Sequence, residues 1–257
     1  MNIGFIPTMG ALHAGHISLI EASKKENDLT VCSIFVNPTQ FNESSDFTNY
    51  PRQIEADLEM LKLADCDVAF VPSVTDIYPK PDETIYQLGP VAEKIEGAHR
   101  PGHFNGVASV VKRLLELVKP HNAYFGLKDY QQYLIIKKLT EEYRLNVNII
   151  GCPIKREESG LAMSSRNQLL TEQGKDTALN LYRSLSLVKT AARTYPANEL
   201  EKIGLAYLES KEGIDPEYFV VVNKNTLEPS INNNADELIA LVAARVDGVR
   251  LIDNMLL

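Results

Sequence analysis

The stretch that decides the fold is NIGFIPTMGALHAGHISLIEASKKE, residues 2–26. Its first six residues are apolar enough to form a short buried strand, and the turn TMGALHAG that follows contains two glycines. The rest, HISLIEASKKE, has apolar residues at Ile17, Ile20 and Ala22, a spacing that favours a helix with one buried face. The sequence therefore opens with a predicted strand, a glycine turn and a helix.

The same alternation continues along the chain. Further strands are predicted at 29–36, 67–72, 122–126 and 147–154, and helices at 51–64, 106–118 and 129–143. Pro51 is expected in the first turn of its helix. Strands that are apolar on both faces need cover on both sides, so the pattern predicts an α/β fold, a Rossmann-like parallel sheet with helices on both faces. In such sheets ligands bind beyond the carboxyl ends of the strands.

After about residue 170 the pattern changes. Two long helical segments are followed by strand-like runs, and the chain ends in VRLIDNMLL. We therefore predict a Rossmann-like domain over 1–170 that binds the substrates. A smaller α+β C-terminal domain is predicted over 171–257, closing over the site.

Composition narrows the functional class. The 257 residues carry a net charge of −8, which disfavours nucleic acid as a partner. No apolar run approaches the roughly 18 residues of a membrane span, and MNIGFIPTMG lacks the features of a signal peptide. The cysteines, Cys32, Cys66 and Cys152, are far apart and odd in number, as expected of small buried side chains in a reducing compartment. We expect a cytoplasmic protein without membrane or nucleic-acid partners.

The glycine turn is the first candidate site. A helix N-terminus attracts phosphate, and Gly10 and Gly15 let the backbone approach a ligand closely. His13 and His16 are three residues apart, which predicts that both imidazoles lie on one face and titrate near neutrality beside a polyphosphate. A structural histidine pair is the alternative. Two histidines supply too few ligands for zinc, so no metal site is predicted.

Polar side chains at later strand ends form the second candidate site. Gln40 follows the second strand, and Gln132 follows the strand at 122–126. Amides can orient an acid without offering a nucleophile of their own. Lys128 suits phosphate oxygens, and Asp129 suits a helix cap, a ribose hydroxyl or magnesium. The alternative is that these are solvated loop residues.

The third candidate site is the polar loop at residues 155–167, KREESGLAMSSRN. Ser164, Ser165 and Arg166 offer two hydroxyls and a guanidinium, which together could clamp phosphate. The loop precedes the change of domain and could close over ATP. The alternative is a linker in which Ser165 or Asn167 caps a helix.

Seven motifs together resemble the pantothenate synthetase family, a branch of the nucleotidyltransferase superfamily. They occur in a consistent order along nearly the whole chain. The motifs are PTMGALHAGH (7–16), SIFVNPTQF (33–41), YPR (50–52), EGAHRPGHFNGV (96–107), YFGLKDYQQ (124–132), GLAMSSRN (160–167) and RLIDN (250–254).

The resemblance implies a two-step ligase. Pantoate would attack the α-phosphate of ATP to give pantoyl adenylate and pyrophosphate. The amine of β-alanine would then attack the acyl carbon, releasing pantothenate and AMP. The resemblance further implies magnesium bridging the ATP phosphates, a homodimer and a cytoplasmic location.

The resemblance also assigns residues. Those implied in catalysis are His16 as proton donor, His13, Lys128 and Arg166. Those implied in holding the acid are Gln40, which would also lie near β-alanine, Gln132 and Asn37. Those implied in binding ATP are Met9, Gly10, Ala11, Leu12, His13, Ala14, Gly15, His16, Gly126, Leu127, Lys128, Asp129, Lys155, Met163, Ser164, Ser165 and Arg166.

Three features depart from the family pattern. Ala14 stands where an acidic residue is common, which is expected to alter the histidine pKa values modestly. Lys155 replaces a small apolar residue, with little effect expected on a backbone contact. The sequence also begins almost at the first strand, where the family usually has a helix, so we expect either weaker packing at that edge or a truncated start.

Two other functions remain open at this level. An adenylyltransferase of the same superfamily would need no amine acceptor, and the paired glutamines disfavour it. A non-catalytic ATP-binding module is the other alternative, but it would need no proton donor. Pyrophosphate release that depends on pantoate separates the ligase from both.

Overall fold

The N-terminal half forms the predicted parallel sheet. A computed structural model describes residues 1–42, 44–230 and 234–257 of the chain. The strands are β1 Ile3–Thr8, β2 Leu29–Ile34, β3 Val68–Phe70, β4 Asn122–Gly126 and β5 Asn148–Cys152. They pair in the order β3-β2-β1-β4-β5, and each neighbouring pair is parallel. This order places β1 at the centre of the sheet.

Helices cover both faces of this sheet, as predicted. They are α1 Ala14–Glu26, α2 Ser44–Asn49, α3 Ile54–Leu63, α4 Val74–Ile77, α5 Glu96–His99, α6 His103–Val118 and α7 Tyr130–Glu142. Successive side chains of a strand point to opposite faces. Phe5 of β1 accordingly packs in a core with α6 and α7, whereas its neighbour Ile6 packs in a second core with α1 and α3. The Rossmann-like α/β prediction is confirmed.

The C-terminal part has a different architecture. Its elements are α8 Glu172–Ala191, α9 Ala197–Glu209, β6 Asp215–Asn223, β7 Leu238–Val246 and β8 Val249–Leu256. The three strands form an antiparallel sheet in the order β6-β7-β8. Side chains from both helices and all three strands share one core, which confirms the predicted small α+β fold.

The chain forms two compact units, Met1–Ile154 and Lys155–Leu257. The polar loop at residues 155–167 thus belongs to the C-terminal unit by this measure. The functional boundary at residue 170, with a substrate-binding and a closing domain, stays a prediction. None of the helices in the described ranges is both long and apolar enough to cross a membrane.

Two local predictions differ from the structure. α3 begins after Gln53, so Pro51 lies outside the helix and the prediction for it was wrong. The reason is the preceding turn, where the Arg52 guanidinium donates hydrogen bonds to the carbonyls of Phe47 (2.9 Å) and Tyr50 (3.2 Å). The strand predicted at 67–72 is shorter than expected, because only Val68–Phe70 pair with β2.

Candidate active site

Three loops that carry predicted site residues leave the same edge of the parallel sheet. β1 lies between β2 and β4, and all three run in one direction. The glycine turn follows β1, residues 37–40 follow β2, and residues 126–132 begin at the end of β4. The carboxyl ends of adjacent parallel strands are where ligands bind in open α/β sheets. The fold therefore brings the first two groups of predicted residues to one edge.

A buried carboxylate from α3 holds the glycine turn. Gly10 (φ +79°) and Ala11 (φ +49°) both adopt left-handed backbone conformations. Asp57, which is only 1% exposed, accepts hydrogen bonds from the backbone N–H of Ala11 (2.9 Å) and of Leu12 (2.7 Å). A Cβ at residue 10 would lie 2.8 Å from Asp57 Oδ2, so glycine is needed for this close approach. The carboxylate thus offsets the conformational cost of the turn.

The two histidines cap α1 and lie side by side. His13 is the N-cap residue, and its Nδ1 accepts a hydrogen bond from the N–H of Gly15 at 3.1 Å. His16 Nδ1 accepts from the N–H of His13 at 3.3 Å, which completes a reciprocal capping box. The ring centroids are 4.2 Å apart. Because each Nδ1 accepts, the proton of each neutral ring is on Nε2, so both imidazoles present an Nε2–H donor.

Burial keeps both rings neutral. It lowers the pKa of His13 to about 4, with a further contribution from the Lys128 cation that outweighs the nearby Asp129 carboxylate. Burial likewise lowers the pKa of His16 to about 3, with His13 and then Lys128 adding to the effect. Titration near neutrality beside a polyphosphate was expected from the sequence. The protein groups alone hold both pKa values lower, and the imidazoles act as neutral hydrogen-bond donors at pH 7.

Gln40 is tied to the glycine turn and to Asn37. Its Nε2 lies 3.2 Å from the Met9 sulfur, and its Oε1 accepts a hydrogen bond from Asn37 Nδ2 at 3.2 Å. Asn37 is 1% exposed and also donates to the carbonyl of Gly106 (3.1 Å), while its Oδ1 accepts from the hydroxyl of Tyr78 (3.0 Å). Asn37 thereby orients Gln40, and its predicted contact with substrate stays a prediction.

The backbone carbonyl of Gln40 is held by His103, the first residue of α6, and by Arg100, which follows α5. His103 Nδ1 lies 2.8 Å from this carbonyl oxygen, and His103 Nε2 lies 3.2 Å from Arg100 Nη1. A carbonyl only accepts and a guanidinium only donates, so the imidazole is neutral with its proton on Nδ1. Burial, followed by the Arg100 cation, lowers the pKa of His103 to about 4, in agreement with this tautomer.

The loop after β4 supplies a cation and an amide. Lys128 Nζ lies 3.7 Å from Asp129 Oδ2, and its charge acts on both histidines of the capping box. Gln131 is buried and holds the 91–96 segment, since it donates to the carbonyls there and accepts from the N–H of Glu96. Gln132 is only partly buried, and its side chain makes no hydrogen bond within the described ranges. Of the two adjacent glutamines, Gln132 is therefore the one available to a ligand.

The serine-arginine loop, residues 155–167, lies in the C-terminal unit. Ser164 Oγ accepts a hydrogen bond from the N–H of Arg166 at 3.3 Å and caps a short 3-10 helix, Ser165–Leu169. Ser165 or Asn167 was expected from the sequence to cap a helix if the loop is a linker. Both are buried inside the turn, and α8 is capped by Thr171, so the two cap assignments were wrong. The Lys155 carbonyl accepts from the N–H of Met163 at 3.0 Å, which brings the two ends of the loop together.

Comparison with known proteins decides the family. The family model described as pantoate-beta-alanine ligase matches residues 1–256. The chain belongs to this ligase family. The resemblance drawn from the seven motifs is confirmed, and the chain is a ligase of the pantoate–β-alanine type.

Individual members of the ligase family match over nearly their whole length. Pantothenate synthetase of Cytophaga hutchinsonii is 46% identical over 260 residues, covering 100% of this chain and 92% of the relative. The crystal structure of pantothenate synthetase from Thermus thermophilus superposes with a TM-score of 0.95 at 40% identity, covering 100% of this chain and 93% of that chain. The pantoate-beta-alanine ligase of Francisella tularensis, complexed with beta-gamma ATP and beta-alanine, gives a TM-score of 0.82 at 41% identity, covering 99% and 89%.

Several residues that support the candidate site were not predicted from the sequence. Asp57 lies in a predicted helix, where a carboxylate is usually exposed to solvent. Nothing in the neighbouring sequence indicates that it contacts the glycine turn. Arg100 and His103 lie in the motif EGAHRPGHFNGV, which supported the family resemblance without a role. Two signals could have identified them. One is a polar residue between two apolar helix positions, as at Asp57, and the other is a pair of basic residues around a helix start, as at Arg100 and His103.

Proposed function

We propose that this chain joins pantoate to β-alanine at the expense of ATP, through a pantoyl-adenylate intermediate. The pantoate carboxylate attacks the α-phosphate of ATP and releases pyrophosphate. The amine of β-alanine then attacks the acyl carbon, the acyl–phosphate bond breaks, and AMP leaves with pantothenate. Family membership supports this reaction, as does the complex of the Francisella tularensis relative with beta-gamma ATP and beta-alanine.

The observation that carries the proposal is the pair of imidazoles that cap α1, the helix that follows the central strand. Their Nε2–H groups are donors of fixed tautomer, suited to negative charge that develops on the α-phosphate and on departing pyrophosphate. His16 serves as the proton donor in this proposal, with His13 beside it. An anionic nucleotide raises the pKa of both rings, which strengthens their hydrogen bonds to phosphate.

The flanking loops supply the remaining groups. Gln40 and Gln132 hold pantoate, and Gln40 also lies near β-alanine, with Asn37 orienting its amide. Lys128 neutralises phosphate charge. These amides provide orientation without a nucleophile that the acyl-adenylate could acylate.

The proposed nucleotide contacts follow the residues that the family resemblance assigns to ATP. Arg166 neutralises phosphate charge after residues 171–257 close over the nucleotide. The groups proposed to bind ATP are the residues at 9–16 and 126–129, the backbone of Lys155, and residues 163–166.

Magnesium is part of the proposal as a companion of ATP. Within the described ranges no group of three or more His, Cys, Asp or Glu side chains could hold a metal ion. Nucleotide-bound magnesium needs only one or two protein carboxylates, because phosphates and waters complete its coordination. The residues beside the proposed phosphate site fit such an ion, with the Asp129 carboxylate as the candidate protein ligand. The ion would supply neutralisation of phosphate charge.

Product analysis tests the reaction. The purified chain is incubated with ATP and pantoate, then with β-alanine as well, and the products are identified by mass. Pyrophosphate release is expected only with pantoate, and AMP with pantothenate only after β-alanine is added. ATP turnover that ignores pantoate would contradict the proposal. An AMP-containing product that persists whatever the amine would favour an adenylyltransferase.

We also propose that the chain is a homodimer working in the cytoplasm, as the family resemblance implies. Light scattering on a size-exclusion column measures the assembly directly. A mass of twice 28.7 kDa is expected. A mass equal to one chain at micromolar concentration would refute the dimer.

A further inference from the structure

The serine-arginine loop, residues 155–167, is built as a narrow hairpin. The N–H of Glu157 donates to the carbonyl of Leu161 at 2.9 Å, and the N–H of Met163 donates to the carbonyl of Lys155 at 3.0 Å. Arg156 and Ala162 pair across the hairpin as an antiparallel bridge. The returning arm leads directly into residues 164–166, so the direction of that arm sets where the serines and Arg166 lie.

A bidentate ion pair holds the root of this hairpin. The Arg156 guanidinium donates to the carboxylate of Asp253 in β8 through its two terminal nitrogens. Nη1 lies 2.7 Å from Oδ2, and Nη2 lies 2.9 Å from Oδ1. The side chain of Asp253 is 3% exposed. The same guanidinium donates to the carbonyls of Gly160 (3.1 Å) and Asn254 (3.1 Å). A planar fork that matches a carboxylate in this way fixes direction as well as distance.

A tyrosine from α8 packs against both Arg156 and the hairpin turn. The Arg156 guanidinium lies 4.7 Å from the centroid of the Tyr182 ring. Gly160 (φ +102°) approaches the same ring so closely that a Cβ there would lie 2.4 Å from it. The arginine is therefore fixed by a strand, a helix and the hairpin turn at once. A loop that is only exposed to solvent does not need so many fixed contacts at its base.

We propose that Arg156 and Asp253 are positioning residues for the ATP step, acting through the serine-arginine loop without touching substrate. This inference rests on the proposed function, in which residues 164–166 grip the phosphates. A loop that is already ordered at its root loses less conformational entropy when it binds a ligand. Breaking the ion pair should therefore weaken the use of ATP specifically, with little effect on the use of pantoate or β-alanine.

The same sheet offers a matched control. Glu217 of β6 pairs with Arg250 of β8 at 2.7 Å and with Arg245 of β7 at 3.2 Å, and its side chain is 19% exposed. This site also joins a carboxylate to arginine side chains in the C-terminal sheet, and the carboxylate of Glu217 contacts Arg245 and Arg250 of that sheet. Glu217→Gln should lower stability while leaving the KM for ATP unchanged.

The test compares Asp253→Asn, Arg156→Lys and Glu217→Gln in steady-state pyrophosphate release. Asp253→Asn is expected to raise the KM for ATP about tenfold, and the KM for pantoate and β-alanine less than about twofold. Arg156→Lys keeps the charge but loses the fork, so a smaller rise in the same KM is expected. The double variant should show an effect smaller than the product of the two, because both changes break one interaction.

Hydrogen exchange of the amides at 157–166 provides a readout that does not need activity. Exchange should be faster in Asp253→Asn and in Arg156→Lys but not in Glu217→Gln. An unchanged KM for ATP with unchanged exchange in the first two variants would overturn the inference, as would an equal rise in Glu217→Gln. If Asp253→Asn does not fold, Arg156→Lys decides. If the wild-type chain releases no pyrophosphate, the proposed function fails, while the exchange result still decides whether the pair positions the loop.

Discussion

The two ring nitrogens of His16 have different roles. Its Nδ1 accepts the N–H of His13 and so helps to begin α1, while its Nε2–H points away from the cap as a donor. The cap is what fixes the tautomer that the proposed chemistry needs. Structure and function at this residue can therefore be separated only by a change that keeps one nitrogen's role and removes the other's.

Asparagine at position 16 makes that separation. The amide oxygen of His16→Asn can occupy the place of Nδ1 and keep the cap, whereas the Nε2–H donor is lost. Loss of one such donor is expected to remove about 2–4 kcal/mol of transition-state stabilisation, in this variant and in His16→Ala alike. His16→Ala should in addition lose about 0.5–2 kcal/mol of unfolding free energy with the cap. Pyrophosphate-release kinetics and urea unfolding measure the two effects, and near-normal turnover of His16→Asn would refute the catalytic role.

Asp57 stabilises the glycine turn from another helix. Asp57→Ala leaves the buried N–H groups of Ala11 and Leu12 without this acceptor. Each unpaired group costs about 1–3 kcal/mol, so the unfolding free energy should fall by about 2–6 kcal/mol. Glu59→Ala on the same helix is the control, since that carboxylate is 62% exposed and should matter by less than about 0.5 kcal/mol. Equal unfolding midpoints in urea for the two variants would contradict this account.

At the scale of elements, the sequence predicts what local patterns determine. The apolar run of β1 and the glycines after it suffice to predict the strand, the turn and the helix, because each depends on neighbouring residues. The acceptor for the turn comes from Asp57, 46 residues away, and the groups on the Gln40 carbonyl come from 60 and 63 residues away. No local pattern encodes such pairings. The sequence thus identifies candidate ligands of the site but not the residues that orient them.

Gly106 shows how one helix fixes a neighbouring loop. It lies in the interior of α6, where alanine would normally be favoured by about 1 kcal/mol. A Cβ at this position would lie 2.4 Å from the carbonyl oxygen of Thr39 and 2.9 Å from the Cα of Gln40, both of them backbone atoms that cannot easily move. Gly106→Ala should therefore destabilise the fold by about 1–3 kcal/mol and displace Gln40.

The same variant has a kinetic signature. Because Gln40 is the proposed pantoate ligand, the KM for pantoate should rise in Gly106→Ala while the KM for ATP stays within about twofold. Saturation kinetics with each substrate in turn make the measurement. A stabilised protein with unchanged pantoate KM would show that α6 does not position this loop.

At the scale of the whole molecule, buried neutral imidazoles make stability depend on pH. The pKa values of His13, His16 and His103 are lowered in the folded chain to about 4, about 3 and about 4, from an ordinary value of 6.5. Between pH 4 and pH 6.5 these histidines bind protons in the unfolded chain but not in the folded chain. Unfolding free energy therefore rises with pH across this window, and the stability present above pH 6.5 is lost as the pH falls towards 4.

The measurement is urea unfolding at several pH values between 7 and 4.5, with His103→Asn beside the wild type. The asparagine amide can still donate to the Gln40 carbonyl but does not titrate. Each fully shifted histidine contributes up to about 1.4 kcal/mol per pH unit, so the slope should fall by about that amount in the variant. The three histidines lie in two separate clusters: His13 and His16 cap α1 beside the glycine turn, and His103 at the start of α6 supports the loop of Gln40. Acid should thus loosen the proposed acid- and phosphate-binding loops together, and a slope unaffected by His103→Asn would contradict a neutral imidazole at that position.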